Sequence, residues 1–473
     1  MADGLVIAAP RSGSGKTIVT LGLVAALRAR GLAIAPAKTG PDYIDTKILA
    51  RTAGADAINL DPWAMSPARL RTLAARHAAA ADLLVVEGVM GLFDGAADGT
   101  GSTADLAAAL GLPVILVVDA EKQSQSIAAL VHGFATWRPD VHVAGLILNR
   151  AATTRHEQML RAALAPTGIP ILGVLPRRDT LVLPERHLGL VLPDEVSHFE
   201  TVISSAAEAI SEYIDLDRLL ALSHAPPSPL RGGAGGGGRA AATESHPPAF
   251  PQSVLLPSVG EGGRRSDEGG SQSAPPPRLP PLGTRIAIAR DDAFAFLYTH
   301  WLNDWHEAGA SISFFSPLAD ESPAGDADAI LLPGGYPELH AGRLAHAQKF
   351  MASVQTFAAR GTLIYGECGG YMVLGQTLTD KAGATWPMAG LLPVSTRIDR
   401  PKRTLGYRRL TQESPLPWPK HLTGHEFHYS VAIAEAANPL FAATDATGTP
   451  LAPMGAVAGR VMGAYAHVID TAP

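Results

Sequence analysis

The chain is poor in several things, and each shortage excludes something. It has one cysteine, Cys368, in 473 residues, so no intramolecular disulfide can form, and that count fits a reducing compartment. Charged residues make up only 17% and the formal net charge is −6. No clustered basic face of the kind a nucleic-acid footprint needs is present. No apolar run reaches the ~18 to 20 residues that cross a bilayer. A charged n-region with an apolar h-region and a cleavage site is also missing, because Leu5-Val-Ile-Ala-Ala9 runs straight into a glycine-rich loop. The expectation is a cytoplasmic protein with neither nucleic acid nor membrane as partner.

Apolar residues, at 47%, suffice for two cores, and the length exceeds what one ordinary core supports. Short runs recur at Leu5–Ala9, Leu32–Pro36, Leu83–Val86, Val114–Val118, Gly145–Leu148 and Ile171–Leu175. Each is rich in Val, Ile and Leu and apolar on both parities, which marks strands buried on both faces of a parallel sheet. Ala/Leu/Arg-rich stretches between them, such as Thr17–Arg30 and Pro67–Ala80, read as helices. The alternation predicts a doubly wound α/β domain over 1–222. Between 223 and 283 the composition turns to Gly, Pro, Ser, Arg and Glu, which predicts a disordered linker. New apolar runs at Arg285–Ala289, Ile312–Phe315, Ala329–Leu332 and Thr362–Tyr365 predict a second α/β domain over 284–473.

Ala9-Pro-Arg-Ser-Gly-Ser-Gly-Lys-Thr17 follows a strand and precedes a helix, the context a phosphate-binding loop needs. Ser12, Gly13, Ser14 and Gly15 can wrap backbone N–H groups around an oxyanion, with the helix dipole adding to them. Lys16 can reach the β/γ-phosphates of ATP and Thr17 can hold Mg²⁺. Pro10 stands where the strict pattern has its first glycine. Lys38-Thr-Gly-Pro-Asp-Tyr-Ile-Asp45 and Val85-Val-Glu-Gly-Val-Met-Gly-Leu-Phe-Asp94 bring further charges to strand ends. Glu87 ends a buried strand at the carboxyl edge, where open α/β sheets bind ligands, and a cation is the natural partner for such a carboxylate. Lys38 and Asn149 join the nucleotide-holding candidates, and Asp45 joins Thr17 and Glu87 as a metal candidate. For Asn149, adenine recognition and a turn-forming role stay equally open.

Tyr365-Gly-Glu-Cys-Gly-Gly-Tyr371 places Cys368 at nucleophile-elbow spacing, Gly366-x-Cys368-x-Gly370. A helix N-terminus behind it favours thiolate. Leu331-Leu-Pro-Gly-Gly335 ends an upstream strand, so Gly334 and Gly335, with Gly369, are candidate oxyanion donors. His467, after the apolar Gly463-Ala-Tyr-Ala466, is the candidate base. This site would attack a glutamine side-chain amide, release ammonia and leave a thioester for water to hydrolyse.

Together these motifs resemble the cobyrinate/hydrogenobyrinate a,c-diamide synthase family of corrinoid biosynthesis. The segments that carry the resemblance are Ser12–Thr17, Gly40–Asp45, Glu87–Gly95, Leu183–Leu190, Leu332–Glu338 and Gly424–Ser430. The N-terminal half is similar to dethiobiotin synthetases and the C-terminal half to flavodoxin-like class I glutamine amidotransferases. The resemblance implies that ATP phosphorylates the a- and c-acetate carboxylates of hydrogenobyrinate or cobyrinate, and that ammonia from L-glutamine displaces the phosphate. It places Asp42, Ile44 and Asp94 where the corrin carboxylate meets the phosphate, with Asp42 and Asp94 catalytic and Ile44 on the substrate. Wider class I amidotransferases carry a glutamate two residues after the histidine. Here that position is Ile469, with Asp470 one further on, so the carboxylate partner of His467 is open.

Residue usage favours the cobalt-free ring over cobyrinate. A homodimer is compatible with the reading. Two alternatives have their own signatures: cobyric acid synthase, with a different phosphate-loop neighbourhood, and a partitioning-type ATPase, which would need no elbow cysteine. His425-Glu-Phe-His428 offers metal-ligand types but no complete set, and reads instead as lining an interface or the substrate.

Overall fold

Six of the apolar runs in the first 180 residues fold as strands of one parallel sheet. The computed structural model describes residues 3–178, 185–186, 189–190, 199–224, 277–435 and 438–473. Most of the expected linker and part of the Leu183–Leu190 segment lie outside them. The strands are β1 (Gly4–Ala8), β2 (Ile34–Thr39), β3 (Ile58–Leu60), β4 (Leu83–Glu87), β5 (Val114–Asp119), β6 (Val143–Ala151) and β7 (Ile171–Pro176). Their order is β3-β2-β4-β1-β5-β6-β7, with every neighbouring pair parallel. The three-residue β3 at the edge was not expected from the sequence, because it is too short to show a period.

The two-parity reading has a direct counterpart in packing. Val6, Leu84 and Leu116 enter one core, while Leu5, Ile7, Val85 and Val117 enter another on the opposite face. Fully burying such side chains contributes about 1.5–3 kcal/mol each. Helices α1 (Lys16–Ala29), α2 (Tyr43–Ala53), α3 (Pro67–His77), α4 (Thr103–Leu110), α5 (Ile127–Thr136), α6 (Thr154–Leu164), α7 (Phe199–Tyr213) and α8 (Leu216–Ser223) accompany the sheet. Their starts follow local chemistry. Asp42 caps α2 through the amides of Ile44 and Asp45. Ser66 caps α3 just before Pro67, and Ser102 with Asp105 forms a capping box on α4. A short antiparallel pair, β8 (Glu185–Arg186) and β9 (Gly189–Leu190), follows β7.

The second α/β region has β10 (Arg285–Ala289), β11 (Ser311–Phe315), β12 (Ala329–Leu332) and β13 (Leu363–Glu367). Helices α9 (Thr299–Glu307), α10 (Ala341–His346), α11 (Gln348–Ala359) and α12 (Gly369–Leu374) connect or follow them. The sequence did not reveal the mostly antiparallel additions β14 (Thr377–Thr379), β15 (Thr385–Pro387), β16 (Val394–Arg397), β17 (Thr404–Thr411), β18 (His421–His428), β19 (Val431–Glu435) and β20 (Ala442–Asp445), among which only β14 and β16 pair in parallel. The chain closes with β21 (Ala456–Ala458), β22 (Val461–Ala464) and β23 (His467–Thr471). Order in the main sheet is β11-β10-β12-β13-β22-β21, parallel except for β21. A separate sheet, β20-β17-β18-β23, carries the strand that His467 opens.

These two regions share one compact unit. One core cluster runs from Val86 and Leu70 through Trp301 and Trp305 to Val468. Tyr298 Oη donates to Pro41 O (3.4 Å), Tyr407 Oη to Asp61 Oδ2 (3.0 Å) and Thr423 Oγ1 to Ala64 O (3.0 Å).

Candidate active site

The loop after β1 carries Ser12 to Gly15 and hands over to α1 at Lys16. Gly13 (φ +78°) and Gly15 (φ +89°) adopt the left-handed backbone that a wrapped phosphate loop requires. Asn149, near the end of β6, donates from Nδ2 to Ser14 O (3.0 Å) and so braces the loop. Lys16 Nζ donates to Met90 O (3.2 Å). Burial, together with the charge of Lys38, lowers its pKa to about 8.

Four side chains meet beside this loop, Lys38 and Glu87 from the ends of β2 and β4 and Thr17 and Asp45 from the first turns of α1 and α2. Thr17 Oγ1 donates to Glu87 Oε1 (2.7 Å). The Lys38 ammonium pairs with Asp45 and lies 3.2 Å from Glu87 Oε1. Burial opposes the charge on Lys38, yet Asp45 and Glu87 outweigh it and raise the pKa. Glu87 Oε2 and Asp45 Oδ1 are buried and accept no hydrogen bond among the described residues. Buried orphan acceptors are costly, and oxygen donors of this kind suit a hard cation. The partly buried Asp42 accepts from the Ile44 and Asp45 amides (2.8 and 3.0 Å). Burial and the neighbouring Asp45 raise its pKa to about 6 against the pull of Lys38. Asp94, exposed, accepts the Gly91 amide (2.8 Å) and shapes the loop after β4.

Cys368 follows β13 and precedes α12, with φ +46° and ψ −104°. That backbone is strained for a residue with a Cβ and is the sharp turn an elbow demands. Gly370 is required behind it, because a Cβ there would sit 1.8 Å from Leu332 O. The His467 imidazole is buried, within electrostatic reach of the Cys368 thiol. Burial works against its charge, but Cys368 and Glu367 prevail and lift its pKa to about 10. Gly334 leaves room for the ring, since a Cβ at that position would lie 2.3 Å from His467 Cε1. A Cβ on Gly369 would lie 3.1 Å from the Gly335 nitrogen, so these two backbones meet beside the thiol.

The carboxylate near His467 comes from before the thiol. Glu367 Oε2 is 3.7 Å from His467 Nδ1, an ion-pair separation, and Glu367 Oε1 accepts from Val468 N (3.0 Å) and Tyr365 Oη (3.0 Å). Asp470 is engaged elsewhere, with Arg69 Nε at 2.7 Å. Sequence reasoning looked only downstream of the histidine; the signal was an acid placed directly on the elbow.

His425 and Glu426 do not form a metal group. Glu426 pairs with Arg408 and lies 3.2 Å from His428 Nε2. Burial, with His467 and Arg408 nearby, lowers the pKa of His425 to about 3. Among the described residues no three His, Cys, Asp or Glu side chains converge to hold a metal ion.

A cavity of about 1020 Å³ lies between the two sites. Asp42, Ile44 and Met90 line it from one region, and His425, Tyr407 and His467 from the other. Tyr43 crosses between them, with its ring 4.3 Å from Tyr298, 5.3 Å from Phe296 and 5.2 Å from His467.

A phosphate loop beside one cavity wall and an elbow thiol–imidazole pair beside the other define a glutamine-dependent amide-forming ligase. Comparison with known proteins agrees. Residues 5–191 match the CobQ/CobB/MinD/ParA nucleotide binding domain, and residues 285–472 the CobB/CobQ-like glutamine amidotransferase domain. Hydrogenobyrinate a,c-diamide synthase of Brucella suis biovar 1 (strain 1330) is 51% identical over 99% of this chain and 98% of its own length. The enzymes of that name from Sinorhizobium sp and Rhodobacter capsulatus are 48% and 44% identical, over 99% and 98% of this chain and 99% and 98% of theirs. The chain belongs to the hydrogenobyrinate a,c-diamide synthase family. No helix among the described residues is long and apolar enough to cross a membrane.

Proposed function

We propose that the protein converts the a- and c-acetate carboxylates of hydrogenobyrinate, the cobalt-free ring, into amides in the cytoplasm, using ATP and glutamine. A carboxylate is a poor electrophile. Transfer of the γ-phosphoryl group of ATP to a carboxylate oxygen gives an acyl phosphate and ADP. Ammonia then adds to the acyl carbon, phosphate leaves, and a proton is lost to give the amide.

Ammonia comes from Cys368. His467 takes the thiol proton, and the thiolate attacks the glutamine amide carbon. The amide backbones at Gly334, Gly335 and Gly369 are the candidate donors to the developing oxyanion. The imidazolium returns its proton to the leaving nitrogen, and water hydrolyses the thioester to glutamate.

Ser12 to Lys16 hold the nucleotide phosphates, with Lys38 and Asn149 behind them. Thr17, Asp45 and Glu87 would hold Mg²⁺, a fit supported by the two orphaned carboxylate oxygens. The ion would neutralise phosphate charge when bound. The Lys38 ammonium, paired with Asp45 and Glu87, would share these carboxylates with the ion. Asp42 and Asp94 flank the carboxylate being activated, and Ile44 packs on the ring.

The observation that carries this reading is the single cavity whose lining includes both Asp42 and His467. Nitrogen released beside His467 has a short way to Asp42. The test is Cys368→Ala with hydrogenobyrinate and cobyrinate as substrates. Glutamine-dependent diamide formation should vanish, while high ammonia restores it with the cobalt-free ring preferred. A Cys368→Ala protein that still uses glutamine would overturn the assignment, and so would a wild type that amidates neither ring.

A further inference from the structure

The amidotransferase half contributes more than half of the residues lining the shared cavity. The largest group lies on one antiparallel pair, β17 and β18, with Arg403 and Tyr429 flanking its ends. In its register Tyr407 faces His425, and Leu405 faces Phe427. Side chains two apart on a strand share a face, and cross-strand partners lie side by side on it. Arg403, Leu405 and Tyr407 with His425, Phe427 and Tyr429 therefore form a continuous apron, and all six line the cavity.

The apron changes character along its length. At its inner end Tyr407 is fixed, stacked on Trp63 at 4.4 Å and bonded to Asp61. Further out, Leu405 is 53% and Phe427 37% exposed, and Met90 from the other half lines the same cavity at 43%. These are three of the few large apolar side chains that the described residues leave to solvent. Arg403, on the loop before β17, is exposed and has no ion-pair partner among the described residues. The backbone beside it is held, with Lys402 N donating to Tyr429 O (3.0 Å).

An exposed apolar patch with a free guanidinium at its rim is a costly surface to leave empty. It suits a broad, largely apolar molecule edged with carboxylates, because Arg binds carboxylates through a fixed donor fork. Given the function proposed above, on which this inference rests, that molecule is the macrocyclic substrate. We propose that the β17–β18 apron is the docking platform for the ring. Leu405 and Phe427 contact its face, and Arg403 pairs with a side-chain carboxylate that is not being amidated. The amidotransferase region then holds the substrate as well as supplying nitrogen, and it orients the acetate toward Asp42.

The test is equilibrium binding of hydrogenobyrinate to the full chain in the presence of ADP and Mg²⁺, with KM for the ring in the ammonia-dependent assay as a second measure. Arg403→Gln and the double variant Leu405→Ser/Phe427→Ser should each weaken ring affinity by about tenfold, the size of one charge-assisted contact or one buried apolar side chain. ATP affinity and the thermal midpoint should stay close to wild type. Wild-type affinity should also fall more steeply with added salt than that of Arg403→Gln. Ring affinities and KM values within twofold of wild type in both variants would overturn the platform while leaving the amidation reading intact. A wild type that amidates no corrin would instead sink the reading beneath it.

Discussion

Glu367 and His467 stand 3.7 Å apart, Oε2 to Nδ1, although 99 residues separate the chain positions that an elbow and a final strand bring together. The acid is the residue immediately before the thiol. Its second oxygen is fixed by the Val468 amide, one residue after the imidazole. Glu367 therefore favours the protonated form of the ring.

Glu367→Gln keeps an oxygen for the Val468 amide and removes the charge. Glutamine-dependent turnover should fall by about 10- to 100-fold, within the usual range for a positioned acid–base group, while ammonia-dependent turnover changes little. Steady-state rates with the two nitrogen donors make the comparison. Equal losses with both would point to a general structural defect instead.

The thiol–imidazole pair makes a prediction in pH. The His467 pKa is raised to about 10 from an ordinary value of 6.5. A raised histidine stabilises the fold fully below about 6.5, and that contribution disappears as pH climbs through about 10. The imidazolium beside Cys368 therefore persists through neutrality. An NMR titration should show the His467 ring still protonated at pH 8, where an ordinary histidine is neutral. A ring that loses its proton near pH 6.5 would overturn this reading of the pair. His425 works the other way: its pKa is lowered to about 3, so the unfolded chain gains the proton first and stability declines as pH drops below about 6.5.

At the phosphate loop, Glu87 accepts from Thr17 and faces Lys38 while one of its oxygens has no hydrogen-bond partner among the described residues. Glu87→Gln should cost at least ~100-fold in ATP-dependent amidation, the scale of losing a metal-oriented electrostatic contact. Glutamine hydrolysis at Cys368 should survive. Chelating Mg²⁺ with EDTA should reproduce this split. Loss of both half-reactions together would mean that the carboxylate supports the fold rather than the nucleotide.

Much of this was legible in the sequence because it is local. Parallel strands announced themselves as runs apolar on both parities, and the glycines around Cys368 marked a turn that only small neighbours tolerate. What was not legible depends on distant pairing. β17 and β18 carry exposed Leu405 and Phe427 on a strand face that also holds Tyr407 and His425, so no clean in–out alternation marks them. Glu367 lies in plain view beside the thiol, but its contact with His467 exists only after β22 pairs with β13. Asp470, the nearer acid in sequence, turns out to face Arg69.

That pairing yields the last prediction. Arg69 on α3 is 4% exposed and contacts both Asp304 on α9 and Asp470 on β23. Asp304 also takes Arg76 at 2.7 Å, so it keeps a cation if Arg69 is lost, whereas Asp470 has only Arg69 among the described ion pairs. Burial works against both partners, but the paired charges win: the pKa of Arg69 is raised and that of Asp304 lowered. Removing one member of such a set leaves a buried charge uncompensated, at about 3–5 kcal/mol. Arg69→Met should therefore lower the unfolding free energy by about that amount in denaturant titration. Asp470→Asn, which retains an acceptor and leaves Arg69 paired with Asp304, should cost less. Because β23 begins at His467, the Arg69→Met protein should also lose glutamine hydrolysis before it unfolds. A variant as stable as wild type would show that the contact does not anchor the strand that carries the imidazole.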